Sequence, residues 1–189
     1  MAMKKKTELK DVFSGLSSIM IKQGGISDLA TVSPEWDLPV TVDSLSMSQG
    51  EPTLNRTKVH GLSGDWCVTS TPGDFSFSAT VPSVSKELVE YFMGGATQVT
   101  ASTINDEKYK GFSVKSKTVK KYVGVVLLSE DEMKACVVKK LAIFATPLFE
   151  NASTTPFGFK LTGSIELSDD DGDDIAFLEK DTNADAPTE

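Results

Sequence analysis

Apolar residues recur at every second position through much of this chain, and that spacing predicts strands with one buried face. The clearest case is "DFSFSATVP", where Phe75, Phe77, Ala79 and Val81 share one side and Pro82 ends the run. In "WDLPVTVDSLSMSQG", Val40 and Val42 alternate with threonines and Leu45 and Met47 with serines. The change of phase between Val42 and Leu45 predicts a bulge. Residues 48–57, "SQGEPTLNRT", read as a loop. From residue 98 onward the pattern is all strand: "QVTASTI", "YKGFSVKSKTVKKYVGVVLL", "MKACVVKKLAIFATPLF", "FGFKLTGSIELS" and "DIAFLEK". β-branched and aromatic residues dominate these runs, and Pro and Gly fall between them.

Two stretches follow helical spacing instead. In "TELKDVFSGLSSIMIKQ" (7–23), Phe13, Leu16, Ile19 and Met20 fall on one face, with Thr7 as the cap and Gly24–Gly25 as the stop. This predicts a short amphipathic helix or arm suited to docking on a neighbour as well as on its own core. "SVSKELVEYFMGG" predicts an internal helix, capped by Ser83 or Ser85, with Leu88, Val89 and Phe92 as its apolar stripe and Gly94–Gly95 as a left-handed exit. A helix of about ten residues is marginal alone, so it is expected to pack on a sheet. The expected fold is mainly β: a β-sandwich or barrel with one flanking α-helix and an N-terminal helical arm. The expected organisation is an arm over 1–35, the β-sandwich over 36–180 and an acidic tail over 181–189.

Composition narrows the function. The chain has 189 residues, 39% of them apolar, and a formal net charge of -8, which argues against a protein that grips nucleic acid through phosphates. Nine acidic residues stand against one base, Lys180, from Asp169 onward, while Lys4, Lys5, Lys6 and Lys10 crowd the N-terminus. Opposite charge at the two ends reads either as ordinary solubilisation or as a guide to head-to-tail contact between identical subunits. The N-terminal lysines and following apolar residues lack the uninterrupted core and cleavage site of a secretion signal. No run approaches the ~20 apolar residues of a membrane span. Cys67 and Cys136 have no CxxC spacing and read as two buried thiols of a reducing compartment rather than a disulfide.

Little catalytic chemistry is written here. The five aspartates of "LSDDDGDDIAFLEK" suggest a metal loop, but glycine is fourth from Asp169 and the twelfth position is Lys180, not glutamate. Asp171–Gly172 between two alternating runs reads instead as a hairpin turn. His60 is the single histidine; its neighbours Ser63 and Asp65 are near in sequence only, which does not make a triad. No phosphate loop, nucleophile elbow or dinucleotide fingerprint is present. The expectation is a protein that is not an enzyme, with no cofactor and no metal. Lys115, Lys117, Lys120 and Lys121 form a basic cluster with Lys139 and Lys140 further on. Alternation places Lys115 and Lys117 on one strand face, expected to be solvated or to meet an acidic patch of another subunit. Trp36 and Trp66, each beside an aspartate near a strand end, are expected in core or rim packing.

The order of these pieces resembles the tail tube proteins of long-tailed bacteriophages. The resemblance lies in the "LPVTVDSLS" strand, the long polar loop, "GDFSFSATVPSVSKELVEYFMG", the long strands after it and the closing "PFGFKLTGSIELSDDDGDDIAFLEK", over roughly residues 36–180. It implies hexameric rings that stack, with long hairpins from each subunit joining an inter-subunit barrel through which DNA passes without specific binding. It also implies a place in the virion tail after synthesis in the host cytoplasm. The implied partners are copies of itself and the terminator, tape measure and baseplate proteins, with no membrane. Phe13, Leu16, Ile19, Met20, Lys115, Lys117, Lys120 and Lys121 are the candidate assembly residues, the lysines facing subunit contacts or the exterior. The alternative is a monomeric β-sandwich that binds carbohydrate or a receptor.

Overall fold

The computed structural model of the chain describes residues 12–41, 43–115, 117–149, 156–166 and 174–181. Its strands, in chain order, are β1 (Ser18–Gln23), β2 (Trp36–Asp37), β3 (Ser46–Gln49), β4 (Thr53–Thr57), β5 (Cys67–Thr71), β6 (Phe75–Val81), β7 (Ala96–Ile104), β8 (Glu107–Val114), β9 (Lys120–Leu128), β10 (Lys134–Leu148), β11 (Gly158–Ile165) and β12 (Ile175–Glu179). A single helix, α1 (Lys86–Met93), lies between β6 and β7 among the described residues. The fold is mainly β with one helix, and all described pairings are antiparallel.

The chain divides into two compact units. The first comprises Met1–Leu38, Val123–Lys140 and Ser168–Glu189. In it β1 pairs with β2 on one side and with β9 on the other, Ile19 opposite Leu127 and Ile21 opposite Val125. Ile19, Ile21, Val123, Val125 and Leu127 are all buried, as alternation requires of one strand face. On the opposite face Met20 and Leu128 pack with Ile26, Val126 and Val137, joined by Leu29 and Val32 from the connection after β1. Gly124 stays side-chain-free because a Cβ there would collide with Ile26. The first part of β10 pairs with β12, Cys136 opposite Phe177 and Val138 opposite Ile175.

The second unit comprises Pro39–Tyr122 and Leu141–Leu167. Here the later part of β10 pairs with β11, β11 with β6, and β6 with β3. Phe77, Ala79 and Val81 are buried on one face with Leu161 and Phe159, as the alternation of β6 predicts. Helix α1 forms where expected. Ser85 at φ −60°, ψ 145° caps it, its hydroxyl accepting the Leu88 N–H at 3.4 Å, and Gly94 at φ 76° ends it. Leu88, Val89, Phe92 and Met93 are buried, and the helix packs on the β7–β8 hairpin.

Four expectations are corrected. Residues 18–23 form a strand, not part of a helix, because Ile19 and Ile21 alternate into a buried face and the β9 edge supplies partners for the backbone. Thr7, the expected cap, lies outside the described residues; Gly24 and Gly25 (φ 77° and 102°) do end the element. Residues 53–57 are a strand rather than loop. The expected bulge before Leu45 is a turn, with Asp43 at φ 62° and the Ser44 amide bonded to the Thr41 carbonyl at 3.1 Å; Val42 itself is outside the described residues. Finally, among the described residues β11 and β12 are not paired with each other as a hairpin: each pairs with its own part of β10. Asp171 and Gly172 lie outside the described residues.

Candidate assembly surface

The second unit carries two ribbons, each a pair of strands with no further partner among the described residues. Gly50 and Gly73 root the first. Their backbones approach so closely that a Cβ on Gly73 would strike the Gly50 carbonyl, and the Gly50 amide bonds the Asp74 carbonyl at 2.9 Å. From there β4 and β5 run antiparallel with every residue exposed. The register sets Leu54 opposite Ser70 and Arg56 opposite Val68. With Trp66, whose amide extends the ladder to the Thr57 carbonyl at 2.8 Å, these form one face. Leu54, Trp66 and Val68 stand 50%, 67% and 52% exposed on it. Arg56 is tied to Asp65 at 3.3 Å. The other face is uncharged: Thr53, Asn55 and Thr57 against Thr71, Thr69 and Cys67. The Asn55 amide donates to the Thr71 hydroxyl at 3.3 Å across it.

The β7–β8 hairpin is the second ribbon. Asn105 and Asp106 at φ 49° and 66° supply the two positive-φ residues its turn needs. A bulge between Val99 and Ser102 increases its twist. The root packs on α1, where Lys86 Nζ donates to Gln98 Oε1 at 3.3 Å. Ile104 and Tyr109 near the tip are exposed. Beside the root, Val84, Phe112, Val114, Phe149 and Phe157 line an apolar groove of about 410 Å³. Phe149 and Phe157 meet edge to face there, centroids 5.4 Å apart.

A two-stranded ribbon is marginal in water. Together the two ribbons present four strand edges without a partner among the described residues, beside exposed apolar side chains.

The eight residues singled out in the sequence fall in both units, Phe13, Leu16, Ile19 and Met20 in the first and the four lysines in the second. Ile19 is buried on one face of β1, while Met20 packs into the cluster on the other; Phe13 and Leu16 are exposed. Lys115 and Lys117 lie in the exposed connection after β8 rather than on a strand, the Lys117 amide bonding the Lys115 carbonyl at 2.9 Å. Lys120 pairs with Glu166 and lies 4.8 Å from the Tyr122 ring centroid. Its hydrogen bond to Glu166, and then that to Tyr122, raise its pKa above the ordinary lysine value. Tyr122 also donates to Glu166 at 3.0 Å. Lys121 sits 4.9 Å from the Tyr91 ring centroid, and the Tyr91 hydroxyl donates to the Tyr122 carbonyl at 3.2 Å. These two lysines fasten the start of β9 to its surroundings.

Of the two ribbons, sequence reading missed β4 and β5 because a strand exposed on both faces has no apolar period, while β7 and β8 fall in runs read as strands. The signals that mark them are the Asn105–Asp106 turn and the paired glycines Gly50 and Gly73. Trp66 is exposed, not packed in core or rim. Of the cysteines, Cys136 is buried, which pushes its thiol pKa up, but Cys67 is exposed on the ribbon. No group of three or more metal-ligating side chains exists among the described residues, and none of their helices is long and apolar enough to cross a membrane. No protein-family model and no curated protein matches the chain.

Proposed function

We propose that this protein is a structural subunit that assembles with copies of itself into stacked rings, forming the tube of a long-tailed phage tail. The observation that carries the reading is the two-faced β4–β5 ribbon: Leu54, Trp66 and Val68 exposed beside Arg56 on one side, a hydroxyl-lined and uncharged face on the other, and no third strand on either edge among the described residues. Such a ribbon suits the wall of a shared barrel. Its apolar face lies against protein, its edges pair with the β7–β8 hairpin of a neighbour, and its threonine face looks onto water. An inner surface of threonines without lysine or arginine gives DNA no charge to bind, so the strand slides. The terminator, tape measure and baseplate proteins of such a tail are then the other partners.

Hydrogen exchange across a concentration series tests this. Amides of β4, β5, β7 and β8 exchange rapidly in the monomer and become protected together as rings form. Assembly that leaves these four strands unprotected contradicts the shared-barrel wall.

One observation favours a second reading. Trp66 stands 67% exposed beside the Arg56–Asp65 pair, an arrangement that also suits stacking on a sugar ring in a monomeric binding module. Quenching of Trp66 fluorescence by glycans at concentrations where the chain stays monomeric identifies that case.

A further inference from the structure

The β7–β8 ribbon sorts its charges by face. Its register puts Lys108, Lys110, Phe112 and Val114 of β8 on one side, with Ala96 and Gln98 of β7. The opposite side holds Tyr109, Gly111 and Ser113 with Thr97 and Val99. It carries no lysine, and its Glu107 accepts the Tyr109 hydroxyl at 3.1 Å. On β4–β5 the cations fall on one strand. Arg56 stands on β4 and Lys58 follows it, whereas β5 is uncharged from Cys67 to Thr71 and is preceded by Asp65 and Trp66.

In a shared wall the lysine-free side of β7–β8 continues the threonine side of β4–β5. Phe112 and Val114 then stand on the same side as Trp66 and Val68. Antiparallel to β5, Val114 falls opposite Trp66, Phe112 opposite Val68 and Lys110 opposite Ser70. On the other side Ser113 falls opposite Cys67 and Gly111 opposite Thr69. Antiparallel to β4, a register that brings Leu54 to Phe112 or Val114 sets Lys110 against Arg56 or Lys58. Like charges directly opposite are destabilising, so β8 fits β5 and not β4. The match also places an exposed tryptophan beside the apolar groove that Phe112 and Val114 line with Phe149 and Phe157.

We propose that β8 of one copy pairs antiparallel with β5 of the next, seating Trp66 at the groove beside Val114. This rests on the self-assembly reading and names which edges meet, leaving the uncharged β7 for β4. The two edges lie at different places on the chain, so the contact is heterologous, the kind that generates rings rather than closed pairs.

The test is disulfide cross-linking of the assembled full chain, read as a covalent ladder on denaturing gels, with circular dichroism to verify folding. Cys67 is exposed on β5 and Cys136 is buried, so one native thiol reports. Ser113→Cys places a thiol on β8 opposite Cys67, at the Cα separation of about 5 Å that a disulfide spans. Thr97→Cys places one at the same level on β7, a strand further away at about 10 Å. Ser113→Cys links at least ~10-fold more copies than Thr97→Cys. Ser70→Lys, which sets a like charge opposite Lys110, raises the assembly concentration by up to ~5-fold, and Ser70→Glu does not. A wild-type chain that stays monomeric overturns the self-assembly reading and this contact with it. The edge assignment alone is overturned if the wild type assembles while Thr97→Cys links as well as Ser113→Cys, while neither links, or while the two Ser70 variants assemble alike.

Discussion

Replacing Leu54, Trp66 and Val68 together by threonine strips the β4–β5 ribbon of its apolar face while keeping β-branched residues in the strands. Full burial of such a side chain is worth about 1.5–3 kcal/mol. The three are already partly covered, being 50%, 67% and 52% exposed. Assembly therefore gains only the remaining half or so, about 1 kcal/mol each and roughly 3 kcal/mol together. That is a roughly 100-fold rise in the concentration at which rings and tubes appear. Exposed substitutions leave the stability of the folded chain within about 0.5 kcal/mol of its starting value. The assay is pelleting and light scattering against concentration, with thermal unfolding of the same samples. Tubes forming at the wild-type concentration refute the assignment of this face to a subunit contact. A large loss of thermal stability shows instead that the face serves the chain's own fold.

Other expectations concern the fold that holds the ribbons. Ser129 is 1% exposed in the β9–β10 turn, where its hydroxyl donates to Asp131 at 2.6 Å and accepts the Lys134 amide at 3.0 Å. Ser129→Ala leaves those groups short of partners and costs about 1–3 kcal/mol in urea unfolding. The Ser129 hydroxyl, and next the Met133 amide, hold the Asp131 carboxyl below its ordinary value of 3.8. Its contribution is thus present above that pH and lost as pH falls through the lower folded value. An acid titration followed by circular dichroism should show this loss in the wild type and much less of it in Ser129→Ala. Gly163 lies between Ile143 and Phe77 across two ladders, and a Cβ there would sit 2.6 Å from the Ala142 carbonyl. Gly163→Ala should therefore destabilise the second unit by about 1–3 kcal/mol, read from the unfolding midpoint.

How far the sequence spoke depended on where each strand found its partner. β6 was legible because Phe77, Ala79 and Val81 are buried on one face, and α1 because its caps are local. The segment before Gly24 satisfied two periods at once. Phe13, Leu16, Ile19 and Met20 fit a helix, yet Ile19 and Ile21 also fit a strand, and pairing with β9, about 100 residues away, decides the matter. In β4, "TLNRT" shows no alternation because neither face is buried. Asp171 and Gly172 lie outside the described residues, while β11 and β12 on either side of them each take β10 as partner. Of the candidate residues, the lysines were visible as a cluster, but the division of labour among them was not. Glu166, which holds Lys120, lies 46 residues away.

The central claim is tested most directly by electron microscopy of the purified full chain over a concentration series, with light scattering on the same samples. Stacked rings or hollow tubes of uniform diameter, growing with concentration, are the result predicted here. A chain that remains a strict monomer at high concentration, with no rings after long incubation, contradicts it and turns attention to glycans around Trp66.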